Sequence, residues 1–521
     1  MQVARIASRA QLGLHAPLVH VEVHLDSGLP TFSIVGLAAT AVKESKERVR
    51  SALANSSFQF PAGRITVNLS PADIPKEGGR FDLPIALALL IASGQMKLAE
   101  AAGGQALERC EFYGELALSG ELKPVKGLLL AAAHAAQVGH QVIVPHENVA
   151  EACITARTGV FGARHLLEVC RHVQGIELLT EARKNGALHA IASEIHDQAT
   201  GPQTGDPEPD LHDVRGQLQA KRALLIAAAG GHSLLLVGPP GSGKSMLAQR
   251  LPGLLPPLDD AEALEVAMIA SASTAGFDLR TYGRRPFRSP HHSASMYAII
   301  GGGSQARPGE VSLAHRGVLF LDELPEFDRR ALEALREPME TGAVAVSRVA
   351  FQAEYPAEFQ LVVAMNPCPC GYLGDVNERC ECPPGRIAQY RARVSGPLLD
   401  RIDLRIVVPT LRGHELMHDL PPGESTAEAA ARVRAARAIQ LARARVLNAR
   451  LPINDLHRFC QLDSEGEQLF WRSHARLGVS ARAYHHTLRV ARTIADLEGS
   501  EPIRAIHVAE ALQLRRGLEP G

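Results

Sequence analysis

The stretch that decides the fold consists of Gly238, Pro239, Pro240, Gly241, Ser242, Gly243, Lys244 and Ser245. It follows an apolar run, residues 233–237, that is typical of a buried strand, and it precedes a helical segment, residues 246–251. Strand, glycine loop and helix in this order form a phosphate-binding loop. The glycines let backbone N–H groups surround phosphates, and the helix N-terminus adds its positive dipole end. Lys244 is therefore expected to meet the β- and γ-phosphates of ATP, and Ser245 to bind Mg²⁺.

Two further apolar runs end in polar residues that would complete such a site. Residues 317–321 are followed by Asp322 and Glu323. An acid at the end of a buried strand is where Mg²⁺ is held in P-loop proteins, so Asp322 is expected to bind the metal. Glu323 is expected to polarise the attacking water. The third run, residues 359–365, ends at Asn366, which resembles the sensor 1 residue that helps orient the water in AAA+ motors.

Two arginines downstream resemble the remaining parts of an AAA+ nucleotide site. Residues 396–403 resemble the arginine-finger segment, in which Arg401 would reach a neighbouring subunit's ATP and stabilise transition-state charge. Arg482 lies in Ser480-Ala481-Arg482, which resembles sensor 2. Either arginine could instead be solvated or salt-bridged. A finger that acts on a neighbour requires a ring, so this resemblance implies self-association, expected as a hexamer.

The composition is that of an ordinary globular chain. Its 521 residues suggest roughly three domains. The formal net charge of -1 gives no global basic field, so any contact with nucleic acid must use local patches. No signal peptide is expected, because residues 1–10 carry two arginines with no apolar run behind them. No membrane span is expected either, because the longest apolar run, residues 83–92, contains Pro84 and is too short. A cytoplasmic protein without membrane contact is the resulting expectation.

The order of segments predicts an α/β multidomain protein. Residues 1–190 mix helical stretches with period-two runs such as residues 65–69, which indicates an α/β amino-terminal domain. Residues 191–213 are polar and rich in Pro and Gly, as linkers are. Residues 214–412 alternate strands and helices as in a parallel α/β core. Residues 413–521 are helical and arginine-rich, and are expected to form a helical lid.

The segment between the phosphate-binding loop and Asp322 indicates a particular branch of the AAA+ proteins. Residues 285–293, 301–303 and 307–315 look like the magnesium-chelatase-like branch of AAA+ proteins. Over essentially its full length the chain resembles the ComM/YifB family. The strings that carry this closer resemblance are residues 30–37, 42–45, 67–69, 82–85 and 366–371.

The family resemblance implies a function that composition does not show. It implies a hexameric, ATP-driven DNA helicase that promotes branch migration when incoming DNA is recombined during natural transformation. ATP and Mg²⁺ are the implied cofactors. The implied partner is single-stranded or branched DNA, bound without sequence preference.

The amino-terminal domain resembles the Lon-type peptidase fold. Residues 75–78, Pro-Lys-Glu-Gly, look like the start of the Lon serine motif. Lon proteases use a serine together with a lysine as general base. Here the serine position falls on Arg80 and the lysine position near Leu128. With both groups missing, a catalytically degenerate scaffold is expected.

Four of the eight cysteines are clustered as Cys368, Cys370, Cys380 and Cys382. Four thiolates can hold a tetrahedral Zn²⁺, although one residue between the cysteines of each pair is tighter than the usual spacing. In a reduced compartment, clustered thiols favour metal over disulfides. Incidental buried cysteines or a redox pair are the alternatives.

Basic residues offer several candidate DNA contacts. Residues 342–352 resemble the β-hairpin that precedes sensor 1 in related ring motors, where Arg348 would contact phosphates. A helical stretch carries Arg432, Arg434, Arg437, Arg443, Arg445 and Arg450. It could equally form a phosphate patch or a solvated or inter-subunit face. The adjacent His291 and His292 are expected to make polar loop contacts, with DNA as one candidate partner, rather than to bind metal.

Two other functions compete with a DNA motor. A chelatase subunit that couples ATP hydrolysis to metal insertion into a tetrapyrrole is compatible with the AAA+ core, but such a subunit is not expected to carry a Lon-like domain. An ATP-dependent protease is disfavoured by the missing serine and lysine.

Overall fold

The computed structural model describes residues 3–98, 107–155, 159–182, 209–303, 306–347, 352–374, 379–410, 423–477 and 481–515. Most of the expected linker, the first residues of the expected lid, Arg348 and Ser480 lie outside the described residues. The chain is a mixed α/β protein with two main sheets and a carboxyl-terminal group of helices. Among the described residues, no helix is both long and apolar enough to cross a membrane.

The first sheet has eight strands and is built from residues 3–182. The strands of this region are β1 (Val3–Arg9), β2 (Leu18–Asp26), β3 (Thr31–Val35), β4 (Arg64–Ser70), β5 (Cys110–Phe112), β6 (Glu115–Leu116), β7 (Leu122–Lys123), β8 (Gln141–Pro145), β9 (Val160–Ala163) and β10 (Glu181–Ala182). Its helices are α1 (Thr40–Lys43), α2 (Ser45–Asn55), α3 (Asp82–Ala92), α4 (Leu128–Gln137), α5 (Val149–Thr155) and α6 (Leu166–Val173).

Strand order in this sheet is β10-β9-β8-β5-β1-β2-β4-β3, while β6 and β7 form a separate hairpin. The alternation predicted for residues 65–69 is confirmed, since Ile65, Val67 and Leu69 are buried along β4. The apolar run 83–92 forms helix α3, which packs on β1 and β2. Pro84 is tolerated there because it lies in the first helical turn, where its missing N–H has no intrahelical partner.

The second sheet has five strands and carries the phosphate-binding loop. The strands of this region are β11 (Leu234–Val237), β12 (Phe287–Arg288), β13 (Gly301–Gly302), β14 (Arg307–Pro308), β15 (Val318–Leu321), β16 (Ala343–Ser347), β17 (Gln352–Pro356), β18 (Gln360–Met365) and β19 (Leu404–Val407). Its helices are α7 (Leu218–Gly230), α8 (Lys244–Gln249), α9 (Leu251–Leu254), α10 (Asp260–Ser271), α11 (Met296–Ile300), α12 (Glu310–Leu313), α13 (Arg329–Ala334), α14 (Arg336–Thr341), α15 (Pro384–Arg391) and α16 (Gly396–Leu399).

All neighbouring strands of the second sheet are parallel, in the order β12-β15-β18-β11-β19. The central strands β11, β15 and β18 are buried along their whole length, as parallel strands covered by helices are. Because the strands are parallel, the residues that follow them meet at one edge of the sheet, where open α/β sheets bind ligands. The hairpins β13–β14 and β16–β17 are separate two-stranded units.

The carboxyl-terminal helices pack on this sheet through helix α7. They are α17 (Thr426–Ala444), α18 (Ile453–Phe459), α19 (Ser464–Leu477), α20 (Ala481–Leu497) and α21 (Ala505–Gln513). The Arg437 guanidinium of α17 donates to the Ala228 carbonyl at the end of α7, at 2.9 and 2.6 Å. Arg222 of α7 pairs with Glu510 of α21 at 2.8 Å.

The two sheet-containing regions also contact each other directly. The Ser271 hydroxyl donates to Glu151 at 3.2 Å, and the Lys126 ammonium donates to the Thr274 carbonyl at 2.9 Å. Arg80 is buried beside this contact and donates through Nη2 to the Lys126 carbonyl at 2.6 Å. Leu128 is completely buried. Neither of the two positions expected for the Lon dyad therefore holds an exposed nucleophile or base.

Candidate nucleotide site

The phosphate-binding loop joins strand β11 to helix α8. Its glycines are needed for two physical reasons. A Cβ at Gly238 would lie 2.2 Å from the Val408 carbonyl oxygen, so only glycine fits there. Gly243 precedes α8 with φ +90°, in the left-handed region that favours glycine. The loop thus turns sharply enough for α8 to begin at Lys244, with its first N–H groups facing the loop.

Four of the predicted site residues meet at the carboxyl edge of the second sheet. The Lys244 ammonium donates to the Gly238 and Pro239 carbonyls at 2.8 and 2.9 Å, and to the Asn366 side-chain oxygen at 3.3 Å. The Ser245 hydroxyl donates to an Asp322 carboxylate oxygen at 2.7 Å. These side chains follow β11, β15 and β18, which are neighbours in the sheet. Strand order therefore brings together residues that are 122 positions apart.

The environment of Lys244 is both buried and acidic. Burial lowers the pKa of its ammonium, while the nearby charges of Asp322 and Glu323 act in the opposite direction. A cation held in a partly desolvated loop attracts phosphate more strongly than an exposed lysine does, because the surrounding medium screens it less.

The oxygen donors beside Lys244 are of the kind that Mg²⁺ prefers. A serine hydroxyl and a carboxylate lie within 2.7 Å of each other, and magnesium takes hard oxygen ligands together with substrate phosphates. The second Asp322 oxygen accepts the Glu323 backbone N–H at 2.9 Å, which fixes the carboxylate plane. The chemistry and position of Ser245 and Asp322 thus fit a magnesium ion.

Glu323 stands beside this pair in an unusual backbone conformation. Its φ is +53°, a left-handed value that is costly for a residue with a side chain. One of its carboxylate oxygens lies 3.1 Å from His292 Nδ1. His292 follows β12, the edge strand next to β15, and the His291 ring lies against it with centroids 4.1 Å apart.

Sequence reasoning missed the contact between His292 and Glu323. The sequence predicted polar loop contacts for the histidine pair but not their partner, and the structure places His292 beside Glu323. The available signal was position, because both residues follow strands of the same sheet. The adjacency of those two strands could not be read from the chain.

Arg401 and Arg482 do not join the other site residues of their own chain. Both guanidiniums pair with Glu340 of helix α14, at 2.6 and 3.1 Å. The Arg401 side chain is only 10% exposed. It precedes strand β19, which runs parallel to β11. Arg401 therefore lies at the amino-terminal edge of the sheet, whereas the phosphate-binding loop lies at the carboxyl edge.

The four clustered cysteines lie in the loop region that follows β18 and Asn366. Their sulfurs are all within 4.8 Å of one another. The Cys368 sulfur is 3.3 Å from that of Cys370 and 3.6 Å from that of Cys380. A tetrahedral zinc with bonds of about 2.3 Å would separate its sulfurs by about 3.8 Å, so the cluster has the size of a zinc site.

The cysteine loop also touches the phosphate-binding loop. A Cβ at Gly371, where φ is +87°, would lie 2.6 Å from Cδ of Pro240. The backbone N–H of Tyr372, aided by the Cys368 thiol, lowers the pKa of Cys370 to about 7. Thiolates rather than thiols bind metal. The position of this loop is thus coupled by packing to that of the phosphate-binding loop.

Most arginines of the basic helical stretch make contacts within the chain. Arg432 pairs with Glu424 at 3.1 Å, and Arg450 pairs with Glu358 at 2.6 Å. Arg443 pairs with buried Asp496 at 2.7 Å. Arg437 bonds to Ala228, as described above. The stretch is therefore largely an internal packing face rather than a row of free cations.

Three protein-family models match successive parts of the chain. Residues 210–416 match the family "Magnesium chelatase, subunit ChlI", residues 21–148 match "Subunit ChlI of Mg-chelatase", and residues 423–515 match "Magnesium chelatase, subunit ChlI C-terminal".

Full-length relatives are considerably more similar than chelatase subunits are. The chain is 46% identical to the competence protein ComM of Haemophilus influenzae, over 99% of this chain and 98% of that protein. It is also 46% identical to the uncharacterized protein YifB of Salmonella typhimurium, over 99% of this chain and 97% of that protein. The magnesium-chelatase 67 kDa subunit of Chlorobaculum parvum is 29% identical over 30% of this chain and 23% of that protein. The chain belongs to the ComM/YifB family of magnesium-chelatase-like proteins.

Proposed function

We propose that this chain is an AAA+ ATPase that assembles into a hexameric ring and drives branch migration of DNA during the recombination of incoming DNA in natural transformation. One observation carries the proposal. Lys244, Ser245, Asp322 and Asn366 meet at one edge of a sheet, while Arg401 lies at the opposite edge. The name of the ComM relative, a competence protein, supports the biological setting.

The residues around Lys244 have complementary roles in ATP hydrolysis. Lys244 binds the β- and γ-phosphates, and Ser245 with Asp322 holds the magnesium. A magnesium ion held by these two residues would supply positive charge beside the phosphates. Glu323 accepts a hydrogen bond from the attacking water and polarises it, and Asn366 orients that water. Gly238, Pro239, Pro240, Gly241, Ser242 and Gly243 wrap the phosphates with backbone N–H groups.

Arg401 acts on the ATP of a neighbouring protomer. Strand β11 has four residues, and at about 3.3 Å per residue the two edges of the sheet are separated by about 13 Å of strand. An arginine at the far edge is therefore poorly placed for its own nucleotide. Arg482 shares Glu340 with Arg401, so the two arginines form one unit that faces the next subunit. A ring supplies every site with such a unit.

The four cysteines bind a structural zinc ion. The evidence is the sulfur spacing given above and the ability of a metal to hold two short Cys-x-Cys segments together. Through the contact between Gly371 and Pro240, the cysteine loop with its zinc ion packs against the phosphate-binding loop and stabilises its position.

The remaining regions serve the motor rather than a second chemistry. We assign residues 1–190 to a Lon-like scaffold, 191–213 to a linker, 214–412 to the AAA+ core and 413–521 to the helical lid. Burial of Arg80 and Leu128 argues against proteolysis. The hairpin β16–β17 leads to Arg348, which we assign to the DNA path through the ring.

A single assay tests this function against its two competitors. ATP turnover is measured alone, with single-stranded or forked DNA, with a porphyrin-binding partner, and alongside a peptide-cleavage assay. Stimulation by DNA is expected. Turnover that does not respond to DNA but responds to the porphyrin-binding partner would favour a chelatase motor, although the 67 kDa chelatase subunit of Chlorobaculum parvum aligns with only 30% of the chain. Peptide cleavage by pure protein would favour the protease.

A further inference from the structure

A second cationic site lies far from the phosphate-binding loop. A cavity of about 650 Å³ separates helix α17 from the amino-terminal ends of β11, β15 and β18. We call it the arginine cavity, after the arginines that line it: Arg285, Arg316, Arg434, Arg437, Arg445 and Arg450. It opens at the sheet edge opposite Lys244, so it is distinct from the nucleotide site.

The charge of the arginine cavity is strongly positive for a chain whose net charge is -1. Six arginines and three carboxylates line it, which leaves a formal charge of +3. Each of the three carboxylates already has a partner within the protein. Glu358 pairs with Arg316 and Arg450, each at 2.6 Å. Glu262 lies 3.4 Å from Arg285, and Asp259 caps helix α10 by accepting the Glu262 N–H at 2.8 Å.

Two of the arginines that line the cavity have guanidiniums without a partner among the described residues. Within the described part of the chain, Arg434 and Arg445 have no hydrogen-bond or ion-pair partner, although both line the cavity. Arg445 ends helix α17 with φ +57°, a costly conformation for a non-glycine residue. Both residues are exposed. Their donors are therefore available to a ligand.

A third arginine of the cavity, the more deeply buried Arg437, also has no carboxylate partner among the described residues. Arg437 bonds only to the Ala228 carbonyl, and burial together with the charge of Arg285 lowers its pKa to about 10. A nearby anion would relieve both the burial cost and the repulsion from Arg285. Leu441, which is 47% exposed, adds an apolar surface between Arg434 and Arg445 on the same helix face.

We infer that the arginine cavity binds a ligand carrying two or more phosphate groups. Guanidinium groups recognise phosphate oxygens in bidentate fashion, and three of them flank one cavity of small-molecule size. Arg434 and Arg445 are 11 positions apart, or about 16 Å along a helix, so they can contact different phosphates of one ligand. The same chemistry is offered by a free polyphosphate and by a nucleic-acid backbone. The inference does not rest on the proposed DNA motor, because it uses none of the nucleotide-site residues.

The test uses the full-length protein with Lys244→Ala, so that the phosphate-binding loop does not compete for the probes. Tripolyphosphate binding is measured by calorimetry, and binding of a single-stranded oligothymidine is measured by fluorescence anisotropy over a series of salt concentrations. Each is repeated with Arg434→Gln plus Arg445→Gln. The matched control is Arg432→Gln, which removes a charge from the same helix outside the cavity, where Arg432 pairs with Glu424.

We expect the double variant to bind at least one probe with an affinity lower by about tenfold or more, because two phosphate contacts are lost. If the oligonucleotide is the ligand, its salt dependence should fall by about 0.7 per lost contact. Arg434→Lys with Arg445→Lys should retain most of the affinity. The probe that responds identifies the source of the phosphate.

Three outcomes overturn the inference. Neither probe binds the Lys244→Ala protein, or the double variant binds both probes normally, or Arg432→Gln weakens binding as much as the double variant does. If the parent protein binds neither probe and the double variant sediments as smaller assemblies than the parent, the cavity is a contact between protomers instead. In every case DNA-stimulated turnover of protein with an intact Lys244 reports separately on the proposed motor.

Discussion

His292 Nδ1 lies 3.1 Å from a carboxylate oxygen of Glu323. The two residues follow neighbouring strands, β12 and β15, yet they are far apart in the chain. A carboxylate oxygen that is in contact with an imidazole is less available for water. His292 also leads directly into helix α11 and the hairpin β13–β14. We therefore expect this contact to connect that hairpin with Glu323, the acid proposed to polarise water.

Replacing His292 by Ala should raise ATP turnover in the absence of DNA. Because both side chains are partly exposed, their contact contributes about 1 kcal/mol or less, so the rise should be about fivefold at most. The stimulation by DNA should shrink in the same variant. His292→Asn, which keeps a polar side chain beside Glu323, should stay close to the parent protein. Lower DNA-free turnover in His292→Ala would instead mean that His292 orients Glu323 for catalysis.

Lys244→Ala and Glu323→Gln should separate nucleotide binding from hydrolysis. Lys244→Ala should weaken ATP binding by more than about tenfold, since it removes the cation that the phosphate-binding loop surrounds. Glu323→Gln should bind ATP normally and lose about 10²- to 10⁴-fold in turnover, the usual worth of a positioned general base. Binding of a fluorescent ATP analogue and steady-state phosphate release check the two effects. Normal turnover in either variant would contradict the role assigned to that residue.

Arg401→Ala should abolish turnover without abolishing nucleotide binding. An arginine that reaches the transition state contributes about a thousandfold or more to the rate. Because Arg401 is assigned to the neighbour's site, mixtures of Arg401→Ala and Glu323→Gln protomers should regain activity that neither variant has alone. The regained turnover is measured against the mixing ratio. Arg330→Ala, an arginine not assigned to the site, is the control. Mixtures that stay inactive at every ratio would place Arg401 in its own chain's site.

Protein purified without chelators should contain about one zinc ion per chain, bound by the four-cysteine cluster. Cys368→Ser with Cys380→Ser should lose that metal, which elemental analysis measures. It should also weaken ATP binding, because the loop that packs on Pro240 loses its brace. Cys170→Ser, a buried cysteine outside the cluster, should keep the metal. Metal-free parent protein would refute the site.

Acid should destabilise the contact between the second sheet and the carboxyl-terminal helices through Asp403. Burial opposes ionisation of this carboxyl, but His232 and His486 hold its pKa well below the usual value. A depressed folded pKa stabilises the fold above the unfolded value, near pH 3.9, and this contribution is lost as the pH falls further. Asp403→Asn should therefore be less stable at neutral pH, and its stability should change less below pH 4. Denaturant unfolding at several pH values measures both.

The chain by itself determined the chemistry that is proposed for the nucleotide site. Eight contiguous residues, from Gly238 to Ser245, carry the loop, its glycines and its lysine, and their order within strand and helix is a local property. The acids and the amide at the ends of later apolar runs were found in the same way, because a polar residue after a buried strand is visible without any neighbour.

The tertiary structure alone decided which distant residues touch. Strand order β12-β15-β18-β11-β19 places His292 beside Glu323, and ion pairs with Glu340 of α14 bring Arg482 and Arg401 together. The arginine cavity likewise exists only because helix α17 lies across the amino-terminal ends of the strands. Periodicity reports which face of an element is buried, but not which element covers it. Pairings between side chains on different elements depend on that covering, so only the folded chain reveals them.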